Sequence, residues 1–152
     1  MKELIKSECM LELASPGCHR RNLAEIEIKL FKHHFILILS GLDDSFPMQL
    51  WNKLLPQAEL TLNLLRQSNA TPSVSAHAHV FGNFDYNMMP LAPMGCAVQI
   101  HKDADKRGSW SRHTVDGCYL GTSPNHYRSH IINVKGTKAD RVSETVFSST
   151  SI

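Results

Sequence analysis

Three side chains able to do chemistry stand at helical spacing early in the chain. Glu25, Lys29 and Lys32 are i, i+4 and i+7, so a helix through them places one carboxylate and two ammonium groups on a single stripe. An acid at a helix N-terminus with lysines along the same face suits a divalent metal and nucleic-acid phosphates. The plainer alternative is a solvated surface pair, with Glu25 complementing the helix dipole and the ion pair contributing a few tenths of a kcal/mol. A second set lies in Lys102-Asp103-Ala104-Asp105-Lys106-Arg107-Gly108-Ser109-Trp110-Ser111-Arg112-His113. Here Lys106, Arg107 and Arg112 surround Trp110, and cations interleaved with a stacking ring fit phosphates and bases, a solvated turn being the alternative. His77 and His79, i and i+2 on an expected extended segment, point to one side as metal ligands do. No further ligand stands at zinc spacing, which favours an ordinary surface pair.

The elements that must hold these groups are legible in outline. Asn22 is a good N-cap, Glu25 follows three residues later, and Gly41 closes an apolar run, so a helix is expected from about Leu23 to Ser40. Leu23, Ile26, Leu30 and Phe31 fall off the charged stripe and are expected to face a core. Asp43, Asp44 and Ser45 form a turn, and Pro47 suits a first helical turn. Leu50, Trp51, Leu54, Leu55, Ala58, Leu62 and Leu65 then recur at helical spacing, predicting one amphipathic helix over 48–66 or a pair broken at Pro56 that covers the first helix. Residues 2–14 read as a short helix and a strand ending at Pro16-Gly17, and 67–95 as a long connector rich in Asn, Ser, Thr, Pro and Gly. From Gly95 the period becomes that of strands: 97–101, 117–121, 126–134 and 141–147, spaced as in a small antiparallel barrel.

Composition restricts the partners. The 152 residues suffice for one domain or two very small ones, and a net charge of +2 does not by itself announce a nucleic-acid binder. The distribution is more telling, because residues 94–152 hold 8 Lys/Arg against 5 Asp/Glu and thereby concentrate the basic charge. Cys9, Cys18, Cys96 and Cys118 are widely spaced with no CxxC pair, which points to reduced thiols and an intracellular setting. The longest apolar run, Phe35 to Leu39, is far short of a membrane span, so no membrane partner is expected.

The ordered set Pro16, His19-Arg20-Arg21-Asn22, Ala24-Glu25, Phe31-Lys32, Phe46-Pro47, Trp51, Gly95-Cys96, Asp116-Gly117, Tyr119-Leu120-Gly121, His126-Tyr127-Arg128 and Arg141-Val142-Ser143-Glu144-Thr145-Val146-Phe147 resembles the integrase segment of copia-type LTR retrotransposon polyproteins. The resemblance implies an α+β chain: the helical C-terminal part of a ribonuclease-H-like core over 1–66, a connector over 67–94, and an SH3-like antiparallel β-barrel over 95–152. It implies polynucleotidyl transfer in the intact family, joining element ends to target DNA in the nucleus with Mg²⁺ or Mn²⁺ held by two aspartates and a glutamate. Glu25 matches the third carboxylate, and Lys29 and Lys32 match positions that present cations to the DNA end. Ile26 and Glu27 stand where the family usually follows its glutamate with Arg. Both aspartates would lie before Met1, so the chain is expected to be a truncated piece, catalytically inactive, binding no metal alone and making weak, salt-sensitive DNA contact. Other expectations are a protein-interaction module that self-associates through Trp51, Leu54, Leu55 and Leu62, a decayed open reading frame without function, and, against the spacing, a zinc protein using His77, His79, His126 and His130 or the cysteines.

Overall fold

The computed structural model describes residues 22–103, 105, 107–137, 140–144 and 146–148. The expected helix and strand of 2–14, the Pro16-Gly17 turn and Lys106 lie outside these residues. The chain divides into two compact units, Met1–His33 and His34–Ile152, so that residues 34–66 group with the strands that follow them. The boundary falls inside the first helix.

Helix α1 spans Leu23–Ser40, as its cap signals predict. The Glu25 amide donates to Asn22 Oδ1 at 3.4 Å, and the Gly41 amide is shared between the carbonyls of Leu37 and Ile38. The apolar face departs from expectation. Phe35 is the buried residue of α1, whereas Leu23, Ile26 and Leu30, expected to face a core, are exposed at 73%, 44% and 39%. The physical reason is in the spacing: apolar residues at 26, 28, 30, 31, 35, 36 and 37 occupy most directions around the helix, and one packing surface covers only one of them.

After a turn in which Asp43 Oδ1 accepts from the Ser45 amide at 2.8 Å, the chain forms a 3-10 helix, Met48–Leu54, and helix α2, Leu55–Leu65. Pro56 sits in the first turn of α2, where its missing N–H costs nothing, so the broken pair is the arrangement adopted. Trp51 meets Phe35 with ring centroids 6.2 Å apart, and His34 Nε2 lies 3.1 Å from Thr61 Oγ1. The most deeply buried residues of the pair, Leu54, Gln57 and Ala58, belong to an assembly with the sheet. Gln57 Oε1 accepts from the Thr122 amide at 2.9 Å and from Thr122 Oγ1 at 3.2 Å. Leu54 is therefore corrected as a self-association residue: with no exposed surface it is core, while Trp51 stays exposed and Leu55 and Leu62 are half-buried.

The connector contains a short helix α3, Ala76–Phe81, started by Ser75, whose Oγ accepts from the Ala78 amide at 3.0 Å. This corrects the extended reading of His77 and His79. Two positions apart on a helix lie on nearly opposite sides, and His77 instead packs between Phe81 and Phe84.

Five antiparallel strands follow: β1 Ala97–His101, β2 Thr114–Thr122, β3 His130–Val134, β4 Asp140–Ser143 and β5 Val146–Ser148, in the order β4-β3-β2-β1-β5. The run 141–147, expected as one strand, is two. β4 pairs with β3 and β5 with β1, at opposite edges of the sheet, so the chain bends at Glu144 between them. The expected strand from His126 begins only at His130, because Ser123 Oγ bonded to His126 Nδ1 at 2.9 Å and Arg128 at φ 52° hold a tight connection before it. One sheet face carries Val98, Ile100, Tyr119 and Ile132, with Ala92, Cys96, Val115 and Val134 packed against them. Gly117 lies in this face because a Cβ there would stand 2.7 Å from the Asn133 carbonyl oxygen and 2.8 Å from Ile100 Cδ1. The protein is thus a mixed helix and sheet chain with a five-stranded antiparallel sheet. None of its described helices is long and apolar enough to cross a membrane.

Candidate nucleic-acid interface

The basic loop is the connection between β1 and β2, and backbone bonds at both ends shape it. At its base the Lys102 amide donates to the His113 carbonyl at 2.8 Å, and the His101 and His113 rings stack with centroids 6.3 Å apart. At its tip the Ser111 amide and hydroxyl both donate to the Gly108 carbonyl, at 3.1 and 3.0 Å, tightening a turn that leaves Trp110 fully exposed. An indole wholly in water loses the favourable transfer of its ring and remains free to stack on a partner.

Register brings further groups to the loop's base. Gln99 is directly paired with Asp116 and His101 with Thr114, so these four side chains share one face. Strand β3 ends in a turn through Gly136, at φ 82°, and the Lys135 amide donates to the Asp116 carbonyl at 2.9 Å, which sets Lys135 beside the same face. The result is a cleft of about 600 Å³ lined by Gln99, Lys102, Arg112, His113, Asp116 and Lys135, among others. Three permanent cations surround one carboxylate there. Asp43 lies within electrostatic reach of Lys135; two hydrogen bonds from Ser45 hold its carboxyl below the usual carboxylate range, and Lys135 adds a smaller effect in the same direction. A cleft lined by three cations with the Gln99 amide and the Thr114 hydroxyl among its groups suits a phosphate backbone, which such side chains contact.

Of the residues singled out by sequence, Arg112 lines the cleft, Arg107 is half-buried in the loop, Trp110 projects from its tip, and Lys106 lies outside the described residues. Glu25, Lys29 and Lys32 are exposed on α1, in the first compact unit. Lys102, His113, Lys135 and Gln99 were not among the expected site residues. A signal for the first two was present, since Lys102 and His113 flank the loop at the ends of the adjoining strands. Lys135 carries no such signal, because only the β2–β3 pairing brings it near.

Among the described residues no three His, Cys, Asp or Glu side chains are gathered as a metal site, and the zinc set of His77, His79, His126 and His130 is not assembled. On α1 the stripe beyond Glu25 consists of Lys29 and Lys32, and ammonium groups repel the Mg²⁺ or Mn²⁺ pair that a two-metal mechanism needs several oxygens to hold. These residues do not fit such a pair.

Two further clefts lie where the helices of 48–65 meet the sheet. One of about 520 Å³ is lined by Pro47, Leu50 and Cys118 together with Gln49, Asn133 and Lys135, and Lys53, which also lines it, is ion-paired with Asp140. Burial pushes the Cys118 thiol up from its ordinary range, as it does Cys96, so neither is poised as a thiolate nucleophile. The other lies between α2 and the sheet and is bounded by Gln57, Leu60, Leu120 and Ile131. Neither gathers the charge that the loop cleft does. Comparison with known protein families, with curated proteins and with solved structures finds no match to this chain.

Proposed function

We propose that this chain is a nucleic-acid-binding remnant of a retrotransposon integrase, in which the strands of 95–152 form an SH3-like barrel that contacts DNA and Glu25 marks a relic of the catalytic core. The observation that carries the reading is the cleft between β1, β2 and β3, lined by Lys102, Arg112 and Lys135, together with Trp110 fully exposed on the same loop. The strand order supports the barrel: β1 to β4 run as a meander, and β5 returns to pair with β1.

Binding is electrostatic and weak. Three cations on the phosphate backbone give a log–log salt slope of about −2 to −3, whereas stacking on Trp110 adds a contribution that salt leaves largely intact. Fluorescence anisotropy of labelled single-stranded and duplex DNA, titrated with protein between low and physiological salt, tests this. Absence of binding at low salt, or a slope near zero, rejects the reading.

A second reading rests on Trp51, which keeps 47% of its surface, and Met48, at 54%: these side chains, with the half-buried Leu55 and Leu62, mediate self-association. Light scattering that finds a clean monomer at high concentration rejects it.

A further inference from the structure

The loop between β1 and β2 sets an aromatic ring and cations close together along the chain. Trp110 is 100% exposed, so its indole contributes no burial to the fold. The turn that presents it is closed without the ring, by the Ser111 amide and hydroxyl on the Gly108 carbonyl. Arg112, which lines the basic cleft, stands two residues further on, a Cα–Cα span of at most about 7 Å. Across the base of the loop the Lys102 amide donates to the His113 carbonyl at 2.8 Å, which ties a second cation of the cleft to the strand end that follows Arg112.

A partner that answers both features is a polyanion with free ring faces. Phosphates match the charge of Lys102, Arg112 and Lys135, and a nucleobase offers the indole a π-face. In a duplex each base face is covered by its neighbour and side chains meet base edges in the grooves, so placing a ring against a face requires unstacking. An unpaired strand offers its faces without that cost. An apolar pocket of a partner protein would also take an indole, but the flanking cations would then lose water without gaining anions.

We propose that this loop and its cleft select single-stranded over duplex DNA, with one base stacked on Trp110 and neighbouring phosphates on Lys102, Arg112 and Lys135. The proposal rests on the nucleic-acid reading above and narrows its substrate class. Charge alone favours the duplex, whose phosphates are more densely spaced, so the selectivity comes from the indole. With three phosphate contacts the log–log salt slope is about −2.7 on a duplex and about −2.1 on a single strand. The preference therefore grows about fourfold for each tenfold rise in salt.

The test is fluorescence anisotropy of the full chain with two labelled DNAs of equal length: an oligothymidylate strand, and a duplex closed by a hairpin at each end, which presents no terminal base pair to stack on. Near physiological salt the single strand is expected to bind at least about fivefold more tightly, the lower end of what one stacked base contributes. Trp110→Ala should weaken single-strand binding about 5- to 140-fold and remove the preference, whereas Trp110→Phe, which keeps a ring, should retain part of it. Because the ring is fully exposed, both variants should unfold in urea at the midpoint of the unmodified chain. Equal or tighter binding of the closed duplex, or a Trp110→Ala loss of the same size on both DNAs, overturns this proposal and leaves the cleft reading standing if Lys135→Ala still lowers the salt slope. Binding of neither DNA at low salt overturns both.

Discussion

Helix α1 and strand β2 are both rich in apolar residues and meet opposite fates. Of the 18 residues of α1 Phe35 alone is buried, whereas β2 buries six of its nine. Strand β2 has partners in every direction: β1 and β3 at its edges, the Val98, Ile100 and Ile132 side chains on one face, and α2 through Gln57 on the other. Apolar composition supplies the capacity to be buried, and neighbours decide whether it is used. The chemistry divides the same way. The stripe of Glu25, Lys29 and Lys32 is written in one local segment and lies on a convex helix surface, while the basic cleft is assembled from β1, β2 and β3 and is concave.

The largest expected effect breaks the comparison at its core. Ile132→Ala, which truncates a fully buried side chain, should cost about 2–5 kcal/mol, and Leu37→Ala, at 70% exposure on α1, should stay within about 0.5 kcal/mol. Urea unfolding of both variants measures this, and equal losses would erase the distinction drawn between the two elements. Gly117→Ala comes next. Its Cβ meets backbone at the Asn133 carbonyl, which cannot swing aside, so a loss of about 1–3 kcal/mol is expected from the same unfolding curves. Gly41→Ala at the end of α1, where nothing approaches closer than 3.7 Å, is the matched control.

The two candidate surfaces are separated by DNA binding. Lys135→Ala or Arg112→Ala should reduce the magnitude of the salt slope by about one, through loss of a phosphate contact. Lys29→Ala and Lys32→Ala should leave it unchanged if the cleft dominates. A larger effect from the α1 lysines would move the interface to the helix.

The smallest effect is on pH dependence. Burial lowers the His130 pKa in the folded chain, so the unfolded chain binds the proton more tightly. The resulting stability is fully present above the unfolded value of about 6.5 and is lost as pH falls through it toward the lower folded value. Unfolding midpoints measured between pH 7.5 and 5 should therefore drop on acidification, and His130→Leu should flatten that component. A His130 resonance titrating above the ordinary histidine value would contradict the sign.

What could be read without coordinates was local. Asn22, Glu25 and Gly41 marked α1, Pro56 marked the break between the 3-10 helix and α2, and the alternation at 97–101 marked β1, because capping, proline geometry and strand period act within a few residues. Arg107, Trp110 and Arg112 were legible as a basic loop for the same reason. The helical form of His77-Ala78-His79 was missed, although Ser75 is a good N-cap, since proline and glycine on either side suggested an extended connector. The split of 141–147 into β4 and β5 was hidden because an unbroken strand pattern says nothing about which edge each half will join.

The amino-acid sequence by itself determined where α1 starts and stops, where the charge lies, and which loop carries cations and a tryptophan. Tertiary structure alone decided that Leu54 is core and Trp51 is not, that Lys135 joins Lys102 and Arg112, and that the Tyr119 and His130 rings meet edge to face. The first group of features follows from interactions between residues a few positions apart. The second depends on strand register and on which face of the sheet a helix covers, and contacts across such distances leave no local trace in the chain.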